Sequence, residues 1–338
     1  MILVSFIPII IYLVVLKLLD SFKLVKWKHI ALCLVSGSAC CAVALFAADM
    51  ASDMEVPYCS PLVEEMLKAI AAILLMRAFR MVFFAEALCY GAAIGGGFAF
   101  VENFLYIFYN PQLLPATVFF RGMCTALLHI GCTALFLTLF LTLFLQRKHK
   151  ADAKPEKDKR YVDKPVSGTM LALLPGLAIH MLYNMQSLPP LPLMIFVVLL
   201  FFFIFLVINT YNEKHVTAWL DNTMMSDVGL LTAIRNGTLS DTNSGRYLLS
   251  VKEQFEAEVF FDMICYIQLY LELTIAAKSR LMLREAGLAV SETAEEKEKR
   301  KEMIRELKIL RSNIGIIGEV VLRPIVRLSI EDLKVMEN

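Results

Sequence analysis

The 338-residue chain is 58% hydrophobic and only 19% charged, with 23 Phe and a mean hydropathy of +0.63. A soluble domain is about half apolar and a quarter charged, so a single water-soluble domain is excluded and a polytopic membrane protein is indicated. The net charge of +1 suggests no nucleic-acid partner, and the eight Cys lack metal-type C-x-x-C spacing, which points to no disulfide framework and no cysteine chemistry.

Seven apolar spans follow one another, at about 2–19, 29–48, 60–78, 83–108, 116–145, 168–186 and 190–211. Each is near or above the ~20 residues that a helix needs to cross a bilayer. The first lacks a basic leader and an A-x-A-type cleavage site, so it reads as a retained helix rather than a signal peptide. Alternate loops are basic. Lys23, Lys26 and Lys28 lie after the first span, Arg77 and Arg80 after the third, and RKHKADAKPEKDKRYVDK after the fifth carries eight Lys/Arg. The intervening loops DMASDMEVPYC, YNPQLLP and QSLPP carry none. The positive-inside rule then places the N-terminus outside the plasma membrane and the C-terminal region in the cytoplasm.

Beyond a membrane domain at 1–211, residues 212–338 hold 17 Lys/Arg and 20 Asp/Glu, which is 37 of the chain's 65 charges. They read as a water-soluble helical domain. The Pro-free stretch 248–286 predicts one helix stopped near Gly287, and Thr293 with Glu296 predicts a capping box for the next. There Met303, Leu307, Leu310, Ile314, Ile317 and Val321 alternate steps of four and three. This stripe is the packing seam of an antiparallel helical hairpin, and EEKEKRKE is a solvated face. The hairpin is open to self-association or a cytoplasmic partner. The fold class is therefore all-α, a membrane helix bundle with a C-terminal soluble helical domain.

Several spans carry groups ill suited to lipid, where a charge at the bilayer centre costs about 2.5–3.5 kcal/mol. VEEMLK places Glu64, Glu65 and Lys68 in the third span, with Lys68 at i+4 and i+3 to the two acids. The fourth contains Glu102 and Asn103, the fifth His129 with Thr133 one turn on, and the sixth His180 with Asn184 one turn on. The alternating topology brings all four sets toward one layer in the outer half of the bilayer. Glu86, near the inner end of the fourth span, falls outside that layer and is expected to pair locally. Arg121 is left open between outer headgroups and a site carboxylate. The run GAAIGGG reads as close helix packing. A carboxylate that takes a proton from water, beside imidazoles that bind metal or stabilise an oxyanion, describes a hydrolytic centre. The same residues would also serve a proton- or ion-coupled transporter or a ligand-binding signal receptor.

EEMLK, FAFVEN, HIGCT and HMLYN, in this order on consecutive spans, resemble the four motifs of the PrsW family of intramembrane proteases, within the wider clan of CAAX-processing and bacteriocin-processing membrane enzymes. The resemblance covers about residues 60–186. Glu64, Glu65, Lys68, Phe98, Glu102, Asn103, His129, His180 and Asn184 match the family pattern. It implies an endopeptidase that cuts membrane-associated protein substrates, by analogy an anti-sigma factor-like protein. Glu64 or Glu65 would be the base and His129 would bind or polarise the water. His180 and Asn184 would hold the oxyanion, Glu102 would complete the site, and Lys68, Asn103 and Thr133 would support it. A zinc ion on His129, His180 and Glu102 stays open beside a metal-free Glu–His mechanism. The resemblance says nothing of residues 212–338.

Overall fold

A computed structural model of the chain describes residues 2–18, 20, 22–50, 59–152, 165–185, 189–288, 292–326 and 330–337. Among these no strand occurs, and the chain divides into two compact units, Met1–Glu213 and Lys214–Asn338. The first holds α1 (Ile2–Leu18), α2 (Trp27–Met50), α3 (Cys59–Ala78), α4 (Phe84–Tyr109), α5 (Pro115–Asp152) and α6 (Pro165–Asn184). It also holds the start of α7 (Pro190–Arg235). The second continues with α8 (Asn243–Val251), α9 (Ala257–Glu285), α10 (Ala294–Leu322) and α11 (Ile330–Glu337). Much of the long basic loop, 153–164, and residues 51–58 and 186–188 of two non-basic loops lie outside the described residues.

Five described helices are long and apolar enough to cross a membrane: Trp27–Ala47, Phe84–Tyr109, Pro115–Leu145, Leu191–Arg235 and Ala257–Glu285. The first, third and sixth expected spans are not among them; α3 carries Glu64, Glu65, Lys68 and Arg77 within twenty residues. α9 meets the criterion although its region reads as solvated in sequence. About half of it is buried inside its own unit, where Met263, Ile267, Tyr270, Leu271 and Ala277 pack, while Phe261 is 65% exposed.

α4 is the hub of the first unit. Residues 84–99 are buried throughout, and the helix packs on α1, α2, α3 and α5. Glycine allows this. A Cβ on Gly95 would fall on the backbone carbonyl of His129 in α5, and one on Gly97 on the carbonyl of Leu34 in α2. Ser38 Oγ also donates to the Gly97 carbonyl at 3.0 Å. The start of α4 is capped from two directions. Glu86 Oε2 accepts from the Val82 N–H at 3.2 Å and Asn212 Oδ1 from the Ala85 N–H at 3.2 Å. Glu86, 2% exposed, is thus a buried cap rather than a member of the polar layer.

In the second unit α9 and α10 pair antiparallel: Asn313 reaches Asp262 at 2.9 Å and Arg280 reaches Glu292 at 2.7 Å. α9 ends before Gly287, whose φ of +74° is the left-handed conformation of a helix stop. The capping box at Thr293 forms, with Glu296 Oε2 accepting from the Thr293 N–H at 2.8 Å and Thr293 Oγ1 from the Glu296 N–H at 3.2 Å. The Thr293 N–H, with the Thr293 hydroxyl donating to the same Oε2 at 3.0 Å, holds the Glu296 carboxyl below its ordinary pKa.

The stretch 248–286 is not one helix: the chain turns through extended Phe255 and Glu256 between α8 and α9. The seam also shifts. Leu307, Leu310 and Ile314 are buried as predicted, but Ile317 is 72% exposed and Gly318 and Leu322 take its place. Gly315 has φ 62° and ψ −176°, a kink that rotates the following turn. Buried Lys278 of α9 donates to Thr223 Oγ1 and Asp227 Oδ2 of α7, both at 2.8 Å. Leu310→Asp should place an unpaired charge in this seam at a cost of roughly 3–5 kcal/mol. The expected result is loss of protease resistance within residues 214–338, read by limited proteolysis of the full chain. An unchanged digestion pattern would show that the seam is not a core.

Candidate active site

Four helices deliver polar side chains to one end of the first unit. Ser60 and Glu64 lie in the first turns of α3, Glu102 and Tyr106 in the last turns of α4, and His180 and Asn184 at the end of α6. Arg121 and His129 come from the first half of α5. All eight line one cavity of about 1120 Å³. The i,i+4 spacing of a helix stacks Ser60 under Glu64, Glu102 under Tyr106 and His180 under Asn184.

Adjacent Glu64 and Glu65 part company here. Successive helical residues point about 100° apart. The Glu64 side chain is 16% exposed and faces the cavity, whereas that of Glu65 is 2% exposed behind it. Glu64 Oε1 accepts from Ser60 Oγ at 2.6 Å, and its Oε2 lies 3.8 Å from His180 Nε2. Glu65 Oε1 takes both the Lys68 ammonium at 2.6 Å and His180 Nδ1 at 2.7 Å. Lys68, fully buried, also reaches His129 Nδ1 at 2.9 Å and sits 4.5 Å from the centre of the Phe98 ring.

On the far wall His129 Nε2 is 2.6 Å from Glu102 Oε2. Arg121 donates to Glu102 Oε1 at 3.2 Å and stacks 3.6 Å over the Tyr106 ring. The two imidazoles are edge to face with centroids 5.0 Å apart. A continuous run of polar contacts therefore passes from Ser60 through Glu64, His180, Glu65, Lys68, His129 and Glu102 to Arg121. Arg121 contacts a site carboxylate, one of the two roles its sequence leaves open. Ser60 and Tyr106 were not anticipated, although each stands one turn from a motif acid on the same helix face. Asn103 and Thr133 are buried but remain outside the run: both Asn103 amide atoms and the Thr133 hydroxyl have no hydrogen-bond partner among the described residues.

One ligand atom from each of Glu64, His129 and His180 lies within 4.8 Å of the others. Two imidazoles and one carboxylate form the donor set of an open catalytic zinc site. Glu65 lies 2.7 Å from His180 Nδ1, where a carboxylate would fix the ring if His180 ligated a metal. The residues fit a metal, with Glu64 in the acidic position where the sequence suggested Glu102. Glu102 instead holds the His129 ring.

The family model of the PrsW family intramembrane metalloproteases matches residues 27–208. No curated protein and no solved structure matches the chain.

Proposed function

The chain belongs to the PrsW family of intramembrane metalloproteases, and on that premise we propose that it hydrolyses a peptide bond of a membrane-anchored protein using Glu64 as the proton acceptor. Membership makes it an intramembrane protease rather than the transporter or receptor that its polar residues alone leave open. The observation that carries the mechanism is the shared cavity of Glu64, His129 and His180.

Of the two acids that line the cavity, Glu102 has both oxygens engaged by Arg121 and His129, whereas Glu64 has one oxygen tethered by Ser60 and the other 3.8 Å from His180 Nε2. A water beside Glu64 gives up its proton to this carboxylate while attacking the scissile carbonyl. Asn184, one turn from His180 on the same cavity wall, offers its amide N–H to the developing oxyanion. Arg121 and Glu102 keep the His129 ring in place. In the metal-bound form Glu64, His129 and His180 would instead hold a zinc ion, with Glu64 a ligand rather than the free proton acceptor, and the ion would supply Lewis-acid polarisation of the substrate carbonyl.

The loop charges support an N-terminus outside, a cytoplasmic region 212–338 acting in regulation or assembly, and a cavity in the outer half of the plasma membrane. The family suggests an anti-sigma factor-like substrate. The test is cleavage of a single-span protein in proteoliposomes, with metal analysis of the purified full chain. About one equivalent of zinc is expected, with activity lost on chelation and restored by zinc, and both metal and cleavage lost in His129→Ala. Full cleavage after complete metal removal would leave Glu64–His activation alone; no cleavage of any membrane-anchored substrate would sink the peptidase mechanism.

A further inference from the structure

Both site histidines turn Nε2 toward a cavity carboxylate, His129 toward Glu102 at 2.6 Å and His180 toward Glu64 at 3.8 Å. Both turn Nδ1 to the buried layer, but there they meet partners of opposite kind. His180 Nδ1 lies 2.7 Å from Glu65 Oε1, and His129 Nδ1 lies 2.9 Å from Lys68 Nζ. A neutral imidazole has one N–H and one lone pair, and its fixed neighbours decide which nitrogen carries which. Glu65 is the carboxylate of an ion pair with Lys68 at 2.6 Å and has acceptors only. His180 therefore carries its proton on Nδ1 and offers the Nε2 lone pair to the cavity. A lysine ammonium has three donors and no acceptor. His129 Nδ1 must then be the lone pair, with the proton on Nε2, where Glu102 accepts it. Lys68 is 0% exposed and lies against the Phe98 ring, packed among these partners.

We infer that Glu65 and Lys68 impose opposite tautomers on the two histidines, so that His180 presents a lone pair and His129 an N–H to the cavity. Lys68 is thereby a positioning residue acting through His129. Two consequences follow from the chemistry. Glu64 and His180 are ready cation donors, whereas His129 can ligate only after its Nε2 proton leaves, so Lys68 weakens metal binding at this centre. In exchange the Nε2–H is held by Glu102, so the His129 ring is fixed from both of its nitrogens. The catalytic meaning of the pair rests on the peptidase reading; the tautomers themselves do not.

Ring-¹⁵N spectra of the full chain in lipid after removal of bound metal, with signals assigned through His129→Gln and His180→Gln, test this directly. His129 is expected to be protonated at Nε2 and His180 at Nδ1; equal or reversed tautomers would overturn the inference. Lys68→Gln supplies an acceptor that lets the His129 proton move to Nδ1. Since an outer partner of a ligating histidine is worth about 10–100-fold in metal affinity, the folded variant should bind Zn²⁺ at least about tenfold more tightly. Unchanged or weaker Zn²⁺ binding by a folded Lys68→Gln would remove Lys68 from this role, and if that variant does not fold the wild-type spectrum decides alone. The expected tautomers in a chain that cleaves nothing would defeat the peptidase mechanism and leave this inference standing.

Discussion

Glu64→Gln is expected to reduce cleavage by about two to four powers of ten while the protein inserts and accumulates normally. The range is that for removing a positioned general base. Glutamine keeps the shape of the side chain, and its carbonyl can still accept the Ser60 hydroxyl that now sits 2.6 Å from Oε1. Position is preserved and basicity is lost. The neighbouring substitution should behave differently. Glu65 compensates a fully buried Lys68 and holds His180. Glu65→Gln strips the lysine of its counter-ion, and breaking one side of a buried pair costs about 3–5 kcal/mol. That variant should lose thermal stability along with activity. Glu86→Gln, in the cap at the far end of α4, should keep most of its cleavage. The measurement is initial cleavage rate in proteoliposomes beside thermal unfolding of each purified variant. Full cleavage by Glu64→Gln would move the chemistry away from this acid; equal stability of the two glutamine variants would mean that Glu65 and Lys68 are not a buried pair.

Much of this site is legible in the sequence because charged residues in apolar spans are too costly to be scattered at random. Their order on consecutive helices, with the alternating loop charges, suffices to place EEMLK, FAFVEN, HIGCT and HMLYN at one end of a bundle. What spacing cannot supply is the rotation of each helix about its own axis. Glu64 and Glu65 are both acids, so no hydrophobic periodicity distinguishes the one facing the cavity from the one facing Lys68. The same limit separates Glu64 from Glu102 as the acidic member of a metal group. Ser60 and Tyr106 look unremarkable in sequence because a hydroxyl or a tyrosine near a helix end has many ordinary roles. In the second unit Thr293, Glu296 and Gly287 act as read, since capping is local chemistry. The seam drifts after Ile314 because one glycine adopts a positive φ, which a stripe of apolar residues does not encode.

The glycine run before FAFVEN links packing to chemistry, and Gly95→Ala should show it. The added methyl would land on the carbonyl carbon and oxygen of His129, backbone atoms that cannot swing aside. α4 and α5 must then separate locally. Overpacking of this kind typically costs 1–3 kcal/mol, and the displaced backbone belongs to a site histidine. A misplacement near 1 Å at a reacting group can cost about 10²-fold in rate, so cleavage should fall by about that factor even in the fraction that remains folded. Gly96→Ala is the matched control one residue away. Its methyl meets Ile9 Cγ2 at 3.0 Å, Ile130 Cγ1 at 3.7 Å and Leu34 Cδ2 at 3.8 Å, side-chain atoms that need give way by only a few tenths of an ångström, and no backbone. It should stay close to wild type in both thermal unfolding and cleavage. Helix propensity favours alanine over glycine equally at the two sites, so any difference between the variants reports the approach of α4 to α5. If Gly95→Ala is as stable and as active as Gly96→Ala, the two helices do not meet at His129, and the position of that ring is set by its polar partners alone.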